Sequence, residues 1–165
     1  MDSTVAMLEG LRVDALGVNC GLGPKQMHPI IERLTQVSSL PIIVNPNAGL
    51  PRSENGKTVF DIAPAEFSDL MEEIAGMGVQ ALGGCCGTTP EHLRLTIEKC
   101  RKVPFRPPVA KRRTVVSSFS QAVEIGPKPV IIGERINRPA RANSRQLCAR
   151  ITSSTSSVKA WRRRT

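Results

Sequence analysis

Short apolar runs alternate with amphipathic segments along the first hundred residues of the chain. The runs at 13–20, 40–49 and 79–86 are mostly apolar, which is typical of strands buried in a parallel sheet. The segments around them have apolar residues at helical spacing, and three of these segments begin with proline, which is favoured at the first helical position. We expect helices at 3–12 and from Pro24, Pro64 and Pro90.

Strand–helix alternation repeated three times predicts an α/β fold whose parallel sheet is covered by helices on both faces. In such folds the chemistry is carried at the carboxyl ends of the strands. The unusual residues of this region stand at those ends: Asn19-Cys20-Gly21, then Asn45 to Gly49, then Cys85-Cys86-Gly87. We therefore expect the functional site at this edge of the sheet.

The rest of the chain has a different character. Residues 50–63 are predicted to form a loop, and residues 104–128 hold prolines and a basic cluster, as a linker with a short hairpin would. The stretch PVIIGERIN at 129–137 predicts one more strand, which begins a new unit. Residues 138–165 are rich in Arg and Ser without apolar periodicity, which predicts a disordered tail. The first domain is accordingly placed at 1–103.

One segment occurs twice. VDALGVNCG at 13–21 and VQALGGCCG at 79–87 both fit V-x-A-L-G-x-x-C-G, which aligns Cys20 with Cys86. Adjacent residues of a regular strand point to opposite faces, so Cys85 and Cys86 can share a metal only where the strand ends. Three thiols at two strand ends of one sheet can converge, and catalytic zinc sites typically have three protein ligands plus an open position. The spacing predicts a zinc site.

Packing is the alternative interpretation for each cysteine, because free cysteine behaves as a small apolar residue and is often buried. It is the preferred interpretation for Cys100, which follows Leu93 and Ile97 on the apolar side of a helix. Cys148 lies in the tail and receives no assignment.

Charge and hydropathy limit the kinds of partner that we expect for the chain. There is no apolar run of about 20 residues, as a membrane span requires, and no signal peptide, so we expect a cytoplasmic protein with reduced thiols. The net charge is +9, but residues 138–165 carry eight of the 23 Lys/Arg and none of the 14 acidic residues. The basicity belongs to the tail, and nucleic-acid binding through it is an alternative that removal of the tail would test. We expect neither a nucleic acid nor a membrane as partner.

Three stretches, DALGVNCGLGP, PIIVNPNAGLP and ALGGCCGTTPEHL, resemble the homocysteine S-methyltransferase family. The likeness spans residues 3–137 and is closest to the homocysteine-binding module of cobalamin-dependent methionine synthases, with GGCCGTTP as its most specific motif. PVIIGERIN resembles the first strand of the pterin-binding module that follows there. The resemblance implies a TIM barrel with zinc held by three cysteines, which here are Cys20, Cys85 and Cys86.

The chemistry implied by the resemblance is methyl transfer to the thiolate of homocysteine, which gives methionine. A free thiol is mostly protonated at neutral pH, and a metal ion promotes its deprotonation. The implied donor is methylcobalamin, recharged by methyltetrahydrofolate; relatives use betaine or S-methylmethionine. Asn19, Asn45 and Asn47 are candidates for binding the amino-acid end of homocysteine. Loop shaping is the alternative, since Asn-Pro and Asn-Ala-Gly are ordinary turn sequences.

The sequence also departs from the family pattern. A TIM barrel has eight strand–helix units in about 250 residues, whereas three units are present here, corresponding to the last three of the family barrel. We expect a fragment of a larger protein that is inactive alone, and a shifted reading frame would explain the loss of acidic residues after Asn137. The alternative function is a non-catalytic zinc- or thiol-binding α/β fragment.

Overall fold

A computed structural model describes residues 1–132 of the chain. Internal contacts divide the chain into one unit of residues 1–128 and a second unit from residue 129 onward. Residues 129–132 form no helix or strand. The remainder of the strand predicted at 129–137, the tail at 138–165 and Cys148 lie outside the described residues.

Four helices and seven strands are present in residues 1–132. In chain order they are α1 (Asp2–Gly10), β1 (Leu16–Asn19), α2 (Pro24–Val37), β2 (Ile42–Asn45), β3 (Pro51–Glu54), β4 (Lys57–Phe60), α3 (Pro64–Gly76), β5 (Ala81–Leu82), α4 (Pro90–Cys100), β6 (Thr114–Ser117) and β7 (Ala122–Ile125). All four predicted helices are present, and three of them begin at the predicted prolines. None of these helices is both long and apolar enough to cross a bilayer.

β1, β2 and β5 form a parallel sheet in that order. β1 pairs with β2 along its whole length, from Leu16 opposite Ile42 to Asn19 opposite Asn45. β5 pairs with β2 over two residues only. Neighbouring strands of the sheet therefore follow one another in chain order, and their carboxyl ends lie at one edge.

Helices cover one face of this sheet. Ile42 and Val44 of β2 are buried against the helices, whereas Ile43 between them remains 37% exposed on the opposite face. Phe67 of α3 is completely buried, and truncating it to alanine would cost about 3–5 kcal/mol of stability. The core consists of Val5, Leu16, Met27, Ile31, Leu34, Val37, Ile42, Val44, Phe67, Met71 and Ile74. The sequence predicts helices on both faces; because α1, α2 and α3 all contribute to this one core, the other face is open within residues 1–132.

A β-hairpin, β3–β4, lies within the predicted loop at 50–63. The two strands are antiparallel, with Glu54 opposite Lys57 at the tip. Asn55 and Gly56 have φ of 51° and 74°, as a two-residue type I′ turn requires, and Asn-Gly is the preferred sequence for that turn. The prediction of an irregular loop was wrong, and the Asn-Gly pair was the signal that indicated a hairpin.

Residues 104–113 lack regular secondary structure but are tied to the chain just before β2. The Lys111 N–H donates to Ser39 Oγ at 3.0 Å, and the Arg113 guanidinium donates to the carbonyl oxygen of Val37 at 3.1 Å. β6 and β7 then form an antiparallel hairpin, so the hairpin predicted within the linker is present. The segment leading to it lies at the amino ends of the strands, opposite to the cysteines.

Candidate metal centre

Cys20, Cys85 and Cys86 bring three sulfur atoms together at the carboxyl edge of the sheet. The Cys86 Sγ lies 3.6 Å from the Cys20 Sγ and 3.8 Å from the Cys85 Sγ. All three sulfurs lie within 4.8 Å of one another. Cys20 directly follows β1, whereas Cys85 and Cys86 lie in the turn after β5. The structure thus places together the three residues that the sequence selects.

The separations match those of a tetrahedral metal site. Zinc–sulfur bonds of about 2.3 Å at tetrahedral angles put neighbouring sulfurs about 3.8 Å apart. The two shorter separations, 3.6 and 3.8 Å, agree with that value. Cys20 and Cys85 are half-buried and Cys86 is exposed, so the cluster is accessible to a further ligand. Soft thiolate donors at this spacing fit a zinc ion.

A sharp bend at the end of β1 places Cys20 in the cysteine cluster. Its φ is +63° and that of Gly21 is +76°, so two successive residues adopt the left-handed conformation. This conformation costs a residue with a Cβ about 1–2 kcal/mol. The Cys20 N–H donates to the carbonyl oxygen of Asn45 at 3.0 Å, which holds the bend against β2. The bend ends the strand and brings the Cys20 sulfur alongside that of Cys86.

The loop after β2 holds the Cys85-Cys86 turn. The Cys85 N–H donates to the carbonyl oxygen of Pro46 at 2.8 Å, and the Ala48 N–H donates to the carbonyl oxygen of Cys86 at 2.9 Å. The Cys86 N–H donates to the side-chain oxygen of Asn47 at 3.1 Å. β5 ends before this pair, as the use of adjacent residues on one metal requires. The loop that follows β2, the central strand, therefore positions the two cysteines that follow β5, a flanking strand.

The three candidate asparagines occupy different environments. Asn47 is buried, with 4% exposed, and its side-chain oxygen accepts the Cys86 N–H, which supports a loop-shaping contribution. Asn19 and Asn45 stand opposite each other in the β1–β2 register. A Cβ at Gly83 would lie 2.3 Å from Asn45 Oδ1, so the amide of Asn45 fills the space that this glycine leaves. Binding of homocysteine by Asn19, Asn45 or Asn47 remains a prediction.

The thiols of Cys20 and Cys86 do not ionise independently. A hydrogen bond from the Cys85 thiol and another from the Gly21 N–H hold the pKa of Cys20 below its usual value. Hydrogen bonding to Cys20, and then to Cys85, raises the pKa of Cys86 to about 11. Once one thiolate has formed, the next proton is harder to remove because like charges repel. A divalent cation supplies the positive charge that lets all three thiols lose their protons.

Two residues near the centre were given no function by the sequence analysis. His92 is buried, with 5% exposed, and both of its ring nitrogens have hydrogen-bond partners. Its sequence signal is its place three residues after the N-cap of α4, where a side chain can accept the N-cap N–H. Phe60 covers Gly87, since a Cβ built on that glycine would lie 2.3 Å from Phe60 Cγ.

Cys100 lies apart from the cluster. It ends α4, is half-buried and packs against the hydrophobic core, which confirms the packing role expected for it. Burial raises the pKa of its thiol above the usual value, so it remains protonated at neutral pH.

The residues around this site match a known family. The profile described as Homocysteine S-methyltransferase matches residues 1–100. Methionine synthase of Mycobacterium leprae (strain TN) is 34% identical over 143 residues, covering 82% of this chain and 12% of the relative. Methionine synthase of Mycobacterium tuberculosis (strain ATCC 25618 / H37Rv) is 32% identical over 143 residues with the same coverage. The chain thus spans 12% of the length of these curated relatives.

Two solved structures are similar to part of this chain. The metallated form of the homocysteine methyltransferase MmuM from Escherichia coli superposes with a TM-score of 0.45 at 27% identity, over 61% of this chain and 29% of that chain. Its oxidized form gives 0.44 at 28% identity, over 61% and 30%. The family profile covers α1 to α4, the parallel sheet and all three clustered cysteines. The chain belongs to the homocysteine S-methyltransferase family.

Proposed function

We propose that this chain carries the zinc-binding part of a methionine synthase-type homocysteine methyltransferase. Cys20, Cys85 and Cys86 hold the ion, and the overall reaction moves a methyl group from a donor to the sulfur of homocysteine. The observation that carries the proposal is the mutual approach of the three sulfurs within 4.8 Å. Zinc, when bound, supplies positive charge and an open position at which a thiol loses its proton.

The protein's own groups prepare this site. The loop after β2 fixes the cysteine turn by three hydrogen bonds, so the sulfurs are held in place before an ion arrives. Asn19 and Asn45 lie on the strands beside Cys20, where their amides can hold the amino-acid end of homocysteine. The full-length protein would use methylcobalamin, recharged by methyltetrahydrofolate, in a cytoplasm that keeps the thiols reduced.

The topology supports assignment of the sheet to part of a (β/α)8 barrel. Strands that neighbour each other in chain order, with helices on one face, are how such barrels are built. We assign the described units to the last three of the eight, with a linker at 104–128 and the start of a pterin-binding domain at 129–137. The 12% coverage of the curated relatives is in accord with this assignment.

Metal analysis of single variants tests the zinc site. The purified chain should contain about one zinc per molecule, and Cys20→Ala, Cys85→Ala and Cys86→Ala should each lose it. Cys100→Ala is the matched control, because its sulfur packs against the core, and it should retain the metal. Unchanged zinc content in Cys86→Ala would refute the assignment.

The alternative is a non-catalytic zinc- or thiol-binding fragment, which the open face of the sheet favours. The two are separated by adding homocysteine to the cobalt-loaded chain. An additional sulfur-to-cobalt charge-transfer band that forms with homocysteine and not with 2-mercaptoethanol indicates that the substrate thiol joins the metal selectively, as the enzyme requires. No spectral change at millimolar homocysteine would favour the alternative.

A further inference from the structure

The ring of His92 is hydrogen-bonded on both sides. Its Nδ1 accepts the Thr89 N–H at 3.2 Å and lies 2.8 Å from Thr89 Oγ1. Its Nε2 lies 3.1 Å from the carbonyl oxygen of Ile62. A backbone N–H can only donate, so Nδ1 is the acceptor and the proton sits on Nε2, which donates to Ile62. The buried ring meets Phe67 edge-on, with the ring centroids 5.3 Å apart.

These hydrogen bonds belong to a closed circuit that includes Cys86. The Ile62 N–H donates to the carbonyl oxygen of Ala48 at 3.0 Å, and the Ala48 N–H donates to that of Cys86 at 2.9 Å. From Cys86 the chain runs three residues to Thr89, whose N–H returns to His92. The imidazole is the one side chain in this circuit, and it joins the end of the β3–β4 hairpin to the start of α4.

We propose that His92 is a positioning residue of the metal centre, an inference that rests on the proposed function. It acts through the Cys86 turn and does not touch the metal. Hydrogen bonds from the loop after β2 hold one side of the turn. Its other side runs through Gly87 into α4, so its geometry there depends on how Thr89 is held. The imidazole ties Thr89 to Ile62. Without it, α4 and the hairpin separate at Ile62, and the Cys86 sulfur spreads over positions that suit the metal less well.

Substitutions can separate this function from simple packing. His92→Gln keeps the circuit, because glutamine three residues after an N-cap accepts the N-cap N–H and its amide N–H can still donate to Ile62. His92→Leu fills the space but breaks both hydrogen bonds. His92→Asn keeps an acceptor in the position of Nδ1 and loses the donor to Ile62. His28→Leu, a change of the only other histidine, is the matched control in α2.

The test is a titration of the full chain with Co²⁺, followed by the sulfur-to-cobalt charge-transfer absorption. Wild type, His92→Gln and His28→Leu should bind cobalt with the same affinity and spectrum. His92→Leu and His92→Asn should bind about 10- to 100-fold more weakly, as loss of a group that orients a ligand typically does, with less charge-transfer intensity per bound cobalt. Circular dichroism identifies folded variants; if His92→Leu does not fold, the comparison of asparagine with glutamine decides.

Three results would overturn the inference alone. The first is wild-type affinity and spectrum in His92→Asn, and the second is binding by His92→Gln as weak as that of His92→Asn. The third is a loss of unfolding free energy in these variants with an unchanged cobalt spectrum, which would assign His92 to packing only. Failure of the wild-type chain to bind cobalt at all would overturn the proposed metal centre, and the inference with it.

Discussion

Gly87→Ala should destabilise the chain more than Gly21→Ala, although the two positions are equivalent in the repeated segment. Both glycines directly follow a clustered cysteine, and their φ angles are +78° and +76°. Their surroundings differ. A Cβ on Gly21 meets nothing within 4 Å, whereas a Cβ on Gly87 would lie 2.3 Å from Phe60 Cγ and 2.4 Å from Phe60 Cδ2. The pair thus separates backbone strain from collision with an aromatic ring.

The expected magnitudes follow from those two contributions. An alanine in the left-handed conformation costs about 1–2 kcal/mol, which applies to both variants. Overpacking adds about 1–3 kcal/mol, which applies to Gly87→Ala alone because the ring must move. We therefore expect Gly87→Ala to lose about 2–5 kcal/mol and Gly21→Ala about 1–2 kcal/mol of unfolding free energy. Phe60→Ala removes the obstructing ring but keeps the Cβ of residue 60, which would lie 2.7 Å from a Cβ on Gly87, so it should recover part of the collision contribution in the double variant.

Urea unfolding followed by circular dichroism measures these differences, with a chelator present so that metal affinity does not contribute. Four proteins complete the cycle: wild type, Gly87→Ala, Phe60→Ala and the double variant. The double variant should be more stable than the sum of the single effects predicts, by part of the about 1–3 kcal/mol that the collision costs. Equal losses in Gly21→Ala and Gly87→Ala, or strict additivity in the cycle, would refute the contact between Phe60 and Gly87.

Three further predictions concern the site. In the metal-free chain at pH 8, iodoacetamide should modify Cys20 before Cys86, although Cys86 is more exposed. The reason is that the thiolate is the nucleophile, and Cys86, with a pKa of about 11, keeps its proton, whereas the pKa of Cys20 is lowered. Peptide mapping that finds Cys86 modified first would contradict this order. Asn47→Ala leaves the Cys86 N–H without its acceptor and should lower the unfolding free energy by about 1–3 kcal/mol. Asn19→Ala, at an exposed strand end, should change it by about 0.5 kcal/mol or less. Equal effects in a urea titration would argue against the hydrogen bond between Cys86 and Asn47. The zinc-loaded chain alone should form no methionine above the protein-free rate from homocysteine and methylcobalamin, betaine or S-methylmethionine. The reason is that the sheet face beside the cysteines is open to water. Methionine formation that Cys86→Ala abolishes would show that the site is complete.

The sequence predicted the elements that build the site, because each has a local cause. Proline at the first helical position marks the helices, and apolar runs mark the strands of the sheet. The strands are nevertheless shorter than those runs. Pairing of β5 stops at Leu82, since Gly83 and Gly84 follow and the chain turns there, although the apolar run predicts a strand to residue 86. Convergence of the cysteines followed from parallel strands ending at one edge, which is a general property of such sheets.

Other features were not predictable from local patterns. The contact of His92 with Ile62 joins residues 30 positions apart, and a lone histidine in an amphipathic helix gives no indication of it. The local apolar pattern places Ile43 in the core, whereas its face of the sheet is open. Sequence patterns indicate the local structure that a residue favours, whereas these two features depend on which part of the fold packs against the residue.

The two cysteine-bearing turns belong to strands that are not neighbours: β2 lies between them, and Cys20 and Cys86 are 66 positions apart in the chain. An ion bound at both turns therefore closes a removable cross-link in the polypeptide, and everything from α2 to β5 lies inside the enclosed loop. A single cut at the exposed Asn55-Gly56 tip would leave two pieces that the ion still links. Chelation would then weaken the association of a nicked molecule, so the three cysteines proposed to bind zinc would also set how the chain tolerates a cut.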